Sequence, residues 1–156
     1  MGSEDNSSPK AVIVIDNKNG FFGRRSEGEG GGDSLEITYW ILKDKSRLIA
    51  VNRSSWGMCC PESILRFFTF NDFIWKDVTK DVFPKLMISD FIDRKYLIKA
   101  DRNKIAPVYI SLPREGKDIT VQLGGETGEN GYHGKPIPLK NKEIKLIWNN
   151  ENFIPK

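Results

Sequence analysis

Cysteine is nearly missing: the 156-residue chain has two, Cys59 and Cys60, side by side. A disulfide framework is therefore excluded, and a bridge between neighbours closes almost no loop. Histidine occurs once, as His133. One His and one Cys pair make no ligand cluster at metal spacing, so neither a metal nor another cofactor is expected. No run of about 18 apolar residues exists, which excludes a membrane-spanning helix. No apolar segment follows Met1 that would read as a signal peptide. A dense Arg/Lys block is lacking as well. Residues 1–84 carry 11 basic and 12 acidic side chains, and residues 85–156 carry 13 and 9. That mild tilt reads as a solvated surface, and nucleic acid is not an expected partner. There is no Gly-x-Ser-x-Gly elbow and no phosphate-binding Gly-rich loop followed by Lys-Ser/Thr.

What is present suits one globular domain. Hydrophobic residues make up 38% and charged residues 29% of the chain, whose formal charge is +3. Residues 1–10 read as a flexible tether: Met1-Gly2-Ser3 has the look of a vector scar, and Glu4 to Pro9 is small, polar and acidic. Residues 11–156 read as a single β-rich domain.

Short β-branched and alternating runs recur at close spacing. Ala11–Ile15 reads as a buried strand, Asp16–Gly20 as a turn in which Asn19-Gly20 supplies positive φ angles, and Phe21-Phe22 as the return. Ser26–Ser34, with four glycines and no apolar side chain, reads as a mobile surface loop. Leu35–Leu42 begins as an alternating strand and becomes apolar on both faces at Trp40 and Leu42. Lys43–Ser46 turns into Arg47–Val51, and Asn52–Glu62 reads as a loop holding Trp56 and the cysteines. Ser63–Phe70 and Phe73–Trp75 form a hairpin about Asn71-Asp72. Asp77 offers a cap to a short helical turn closed by Pro84. The one clear helix is expected near residues 89–95, with acids in its first turn. Val108–Leu112, Ile119–Leu123, Lys142–Trp148 and Phe153-Ile154 complete about ten strands. The fold class is mostly β: an antiparallel sandwich or barrel-like single domain with one short helix.

Two hairpins echo each other: Arg66-Phe-Phe-Thr-Phe-Asn-Asp-Phe-Ile-Trp75 and Ile144-Lys-Leu-Ile-Trp-Asn-Asn-Glu-Asn-Phe153. Their tryptophans, Trp75 and Trp148, are expected in the core. The stretch Phe68–Thr79 ending at Phe83-Pro84, with Ile110–Val121 and Lys145–Phe153, resembles small exported, functionally uncharacterised β-rich proteins of Bacteroidetes. The acidic, Ser-rich Glu4–Pro9 resembles the stretch that follows the lipidated Cys of exported lipoproteins in that group. The resemblance implies a secreted β-rich protein at the periplasmic face or cell surface. It implies membrane contact only through an N-terminal lipid anchor upstream of this sequence. It brings no catalytic residues.

Candidate chemistry is sparse. Cys59-Cys60 reads either as a vicinal redox pair or, in preference, as two small buried hydrophobes. His133 lies between Gly124 and Gly134 with Glu126 and Glu129 nearby; a general base there lacks rigid support on a loop with five glycines. Aromatic side chains exceed what one sheet face buries. Trp40, Trp56 and Tyr132, with His133, are the candidate binding residues for a protein or glycan ligand. The expected function is a non-enzymatic, exported binding protein and a monomer. The alternatives are a hydrolase using Glu126, Glu129 or His133, and an immunity-type inhibitor of a toxin.

Overall fold

The computed structural model describes residues 10–57, 61–125 and 137–156. Ten strands form two antiparallel sheets. The first sheet runs in chain order through β1 (Lys10–Asp16), β2 (Phe21–Gly28), β3 (Gly31–Ile41), β4 (Arg47–Gly57), β5 (Glu62–Asn71) and β6 (Ile74–Asp77). The second has the order β10 (Phe153–Pro155), β9 (Glu143–Trp148), β8 (Ile119–Leu123), β7 (Val108–Ser111). Both sheets are open, so the architecture is a sandwich and the barrel alternative is set aside. The link between sheets holds two single-turn helices, α1 (Thr79–Val82) and α2 (Ile88–Phe91), and two 3₁₀ turns.

The helical content differs from expectation in extent. Asp77 Oδ1 accepts hydrogen bonds from the Thr79 amide and hydroxyl at 2.9 and 2.6 Å, which starts α1 as its sequence suggests. The helix expected near 89–95 is one turn at 88–91. Asp90 accepts a bond from the Met87 amide at 2.7 Å, but Ile92 returns to extended backbone and bridges Leu139. Tertiary pairing outweighs a weak helical propensity there.

Three other expectations are corrected. Ser26–Ser34 is no mobile loop: β2 and β3 pair down to Gly28 opposite Gly31, with Glu29-Gly30 as the turn. Glycines tighten that ribbon, because a Cβ on Gly32 would lie 2.5 Å from the Trp56 ring across β4. Asn52–Glu62 is no loop at its two ends, since β4 runs to Gly57 and β5 starts at Glu62. Trp56 therefore stands on a strand, while Cys59-Cys60 lies outside the described residues. Finally, β1 is an edge strand, and Val12, Ile13 and Ile15 are exposed. Its hairpin turn has positive φ at Gly20 alone.

The core lies between the sheets. Phe67, Leu48, Phe91, Ile92, Ile119, Val121 and Leu146 are fully buried. At one end Trp40, Trp148 and Phe153 interlock, with Trp40 edge-on to Phe153 at 5.1 Å and Trp148 at 4.9 Å from it. Each such side chain contributes roughly 1.5–3 kcal/mol by burial.

Candidate binding surfaces

Along part of β3 and β4 the two faces of the six-stranded sheet depart from the usual assignment. The register pairs Ser34 with Ser54, Glu36 with Asn52, Thr38 with Ala50 and Trp40 with Leu48 on the inner face. On the outer face it pairs Leu35 with Arg53, Ile37 with Val51, Tyr39 with Ile49 and Ile41 with Arg47. Over β3 and β4, then, much of the covered side is polar and much of the uncovered side is apolar.

The inner polar groups have a structural use. β7 is an edge strand of its sheet, and side chains from the larger sheet satisfy its open backbone. Asn52 Nδ2 donates to the Ile110 carbonyl at 2.9 Å, and Ser63 Oγ accepts from the Ile110 amide at 2.9 Å. Glu36 Oε2 accepts from the Leu112 amide and from Asn52 Nδ2, both at 3.0 Å. The Ser54 and Ser63 hydroxyls share a 2.6 Å hydrogen bond. Buried polar atoms are tolerable when bonded in this way. This seam fixes where one sheet sits on the other.

The outer face has no such explanation. Ile37, Ile49 and Val51 form its centre, with Ile15, Phe22, Tyr39, Ile41, Ile64, Phe68 and Phe70 around them. Four of the chain's eight arginines, Arg24, Arg47, Arg53 and Arg66, lie on this face, and among the described residues no lysine does. Arg24 pairs with Asp33 at 3.5 Å, Arg66 with Asp77 at 3.0 Å, and Arg47 lies over the Tyr39 ring at 5.0 Å. Arg53 has no ion-pair partner among the described residues. Thr79 and then Arg66 hold the Asp77 carboxyl below the usual carboxylate range.

The face ends in the β5–β6 hairpin. Its two turn residues, Asp72 and Phe73, have φ of 51° and 63°, a left-handed conformation costly for a bulky side chain. Phe73 is 94% exposed at the tip, and Trp75 is 59% exposed beside it. Trp75, expected in the core, instead packs sideways on Phe70 at 4.9 Å and Phe68 at 6.3 Å. The hairpin is an aromatic cluster built outside the core.

The sequence-derived candidates fall elsewhere. Trp40 is 4% exposed, and its indole N–H donates to the Lys117 carbonyl at 2.9 Å. It is a core residue with no surface for a ligand, which corrects its candidacy. Trp56 is half-buried on the inner side, with the Arg25 guanidinium 4.5 Å from its ring. Tyr132 and His133, with Glu126 and Glu129, lie outside the described residues. Arg25 also lines a groove of about 590 Å³ where β1–β3 overhang β7, with Val14, Phe21, Glu36 and Tyr109. Burial raises the Tyr109 phenol pKa there. Arg25 is tied to Glu27 at 2.6 Å and Glu36 to the seam, so that groove's charges are already engaged. Among the described residues no group of three or more His, Cys, Asp or Glu is placed to hold a metal, and no helix is long and apolar enough to cross a membrane.

The arginine and apolar face was missed in the sequence, though a signal existed. Read at period two, 47–53 gives Arg-Ile-Val-Arg on one side and Leu-Ala-Asn on the other. Ile49 and Val51 stand between two arginines, a residue enriched at protein interfaces. Comparison with known protein families, with curated proteins and with solved structures finds no match.

Proposed function

We propose that the chain is a non-enzymatic binding protein whose ligand is another protein, docked on the outer face of the six-stranded sheet. The observation that carries this reading is the inversion between that sheet's two faces. Apolar patches of more than a few hundred Å² are rare on monomers and mark interaction sites. Six strands at about 4.8 Å spacing and about seven residues of strand give a face on the order of 600 Å², near the roughly 800 Å² per partner of a standard interface. Aromatics and arginine in place of lysine match the composition of such interfaces. A glycan would want polar donors around its aromatic platform, whereas Phe70 and Trp75 stand against Phe68 and Phe73. Arg47 and Arg53 call for carboxylates on the partner.

The address in this proposal is the bacterial envelope, with a lipid anchor upstream of the tether. It rests on the Bacteroidetes resemblance and on residues 1–10, not on the fold. A toxin-blocking inhibitor would use the same face in another compartment.

A photo-crosslinking residue placed at Val51 in the native host tests the reading. One discrete protein adduct is expected, lost when Arg53→Glu is added. No turnover is expected on ester, glycoside, peptide or phosphate substrates. Absence of any adduct, with an activity that vanishes in a folded His133→Ala, Glu126→Ala or Glu129→Ala variant, would replace the binding reading by the hydrolase.

A further inference from the structure

A second groove has the chemistry of a small-ligand site. It lies between the chain leaving α1 and the chain entering β7, and its volume is about 540 Å³. That is within the range of small-molecule pockets, roughly 300–1,000 Å³. Phe83, Pro84 and Leu86 form one wall, and Ile105, Ala106 and Val108 form the other. The walls are tied by backbone: the Ala106 amide donates to the Leu86 carbonyl at 3.0 Å, the Ile88 amide to the Lys104 carbonyl at 3.1 Å, and Met87 bridges Ile105. Behind them Phe83 stacks on the buried Phe67 at 6.0 Å. These bonds fix the segments side by side, so the groove's floor is set by the fold and backed by the core. Ile105 is nonetheless 62% exposed.

The polar residues at this apolar groove are Thr79, Lys80 and Lys85, and no carboxylate lines it. Neither lysine has an ion-pair partner among the described residues, whereas the neighbouring Lys104 is bound to Asp101 at 2.6 Å. An apolar trough with two uncompensated ammonium groups is complementary to one kind of molecule: an apolar body carrying one anionic head. A bare anion would leave the trough unfilled, and a neutral hydrocarbon would leave the lysines unused.

We propose that this groove binds a free fatty acid, its chain along Phe83, Pro84, Ile105 and Val108 and its carboxylate at Lys80 and Lys85. The site borders the protein-docking face, since Thr79 and Lys80 also line a groove with Ile64, Arg66 and Asp77, but its test reads Leu86, Ile105 and Val108, which do not lie on that face. Dodecanoate, titrated below its micellar concentration, is the probe. Calorimetry should show saturable one-to-one binding, and methyl NMR shifts should be confined to Leu86, Ile105 and Val108. The double variant Lys80→Ala/Lys85→Ala, two exposed positions, should keep its thermal transition and lose roughly tenfold or more in affinity. Dodecanol should bind less tightly and be indifferent to that variant. Failure to saturate, lysine-independent affinity, or shifts at Ile37 and Ile49 instead would overturn the proposal. Co-sedimentation with phosphatidylglycerol–phosphatidylcholine vesicles through the same two lysines would overturn it in favour of a membrane surface.

Discussion

The two sheets of this sandwich divide their polar and apolar residues differently. In the four-stranded sheet Ile119, Val121, Leu123, Ile144 and Leu146 face the core, while Thr120, Gln122, Glu143 and Lys145 alternate outward. In the six-stranded sheet Trp40, Leu48, Ala50 and Phe67 also face the core, but Glu36, Thr38, Asn52 and Ser54 turn inward beside them, and Ile37, Ile49 and Val51 turn away. The first arrangement needs nothing beyond the domain. The second leaves large aliphatics at the surface, and the proposed partner is what would cover them. The echoing hairpins show the same split. Trp148 is 7% exposed on the orthodox sheet, and Trp75 is 59% exposed on the inverted one.

That contrast can be broken most forcefully at the tryptophans. Trp148→Ala should cost about 3–5 kcal/mol in urea denaturation, by lost contacts and a cavity among Trp40 and Phe153. Trp75→Ala should cost less than about 1 kcal/mol, as expected for a surface site. Equal losses would mean that both hairpins are core. Next in size is the seam. Asn52→Ala should cost about 1–3 kcal/mol, because it strips the Ile110 carbonyl of its donor in a buried place; a neutral result would mean that water replaces the amide.

How much of this could be read from the chain divides along the same line. The orthodox strands, with their clean alternation at 108–112 and 119–123, were legible locally. The antiparallel β class, sandwich or barrel, followed from the number and spacing of strands. The inner side of β3 and β4 was not legible, because alternation shows two faces without saying which is covered. Only the Glu36 and Asn52 bonds to β7, some 60 to 80 residues away in sequence, decide it. Trp40 was misplaced for that reason: the strand reads as apolar on both faces there, and the Trp148 and Phe153 rings that cover it come from the other sheet. Trp75 was misplaced because an Asn-centred aromatic hairpin looks alike whether a second sheet covers it or not.

A smaller effect is expected at the hairpin tip. Phe73→Gly should raise stability by about 1 kcal/mol by relieving the left-handed φ of a bulky residue. A destabilised variant would show that Phe73 holds the hairpin rather than presenting a surface.

The smallest effect concerns acid. Hydrogen bonds from Arg114 and then Asn19 lower the Asp16 pKa to about 2, against 3.8 unperturbed. The folded state therefore binds this proton less readily than the unfolded chain. The contribution is fully present above pH 3.8 and is lost as pH falls through about 2. Asp16→Asn should flatten the dependence of stability on pH in that window, measured by denaturation between pH 5 and 2. An unchanged slope would remove the Asp16–Arg114 contact from the account.

The central claim, that the inverted sheet is inverted for a protein partner, is tested most directly by scanning one photo-crosslinker over both outer faces in the native host. Positions Ile37, Ile49, Val51 and Ile64 sample the larger sheet, and Thr120, Gln122, Lys145 and Ile147 sample the smaller. The account predicts one shared protein adduct from the first four and none from the second four. Adducts from both sheets alike, or from the smaller sheet alone, would contradict it.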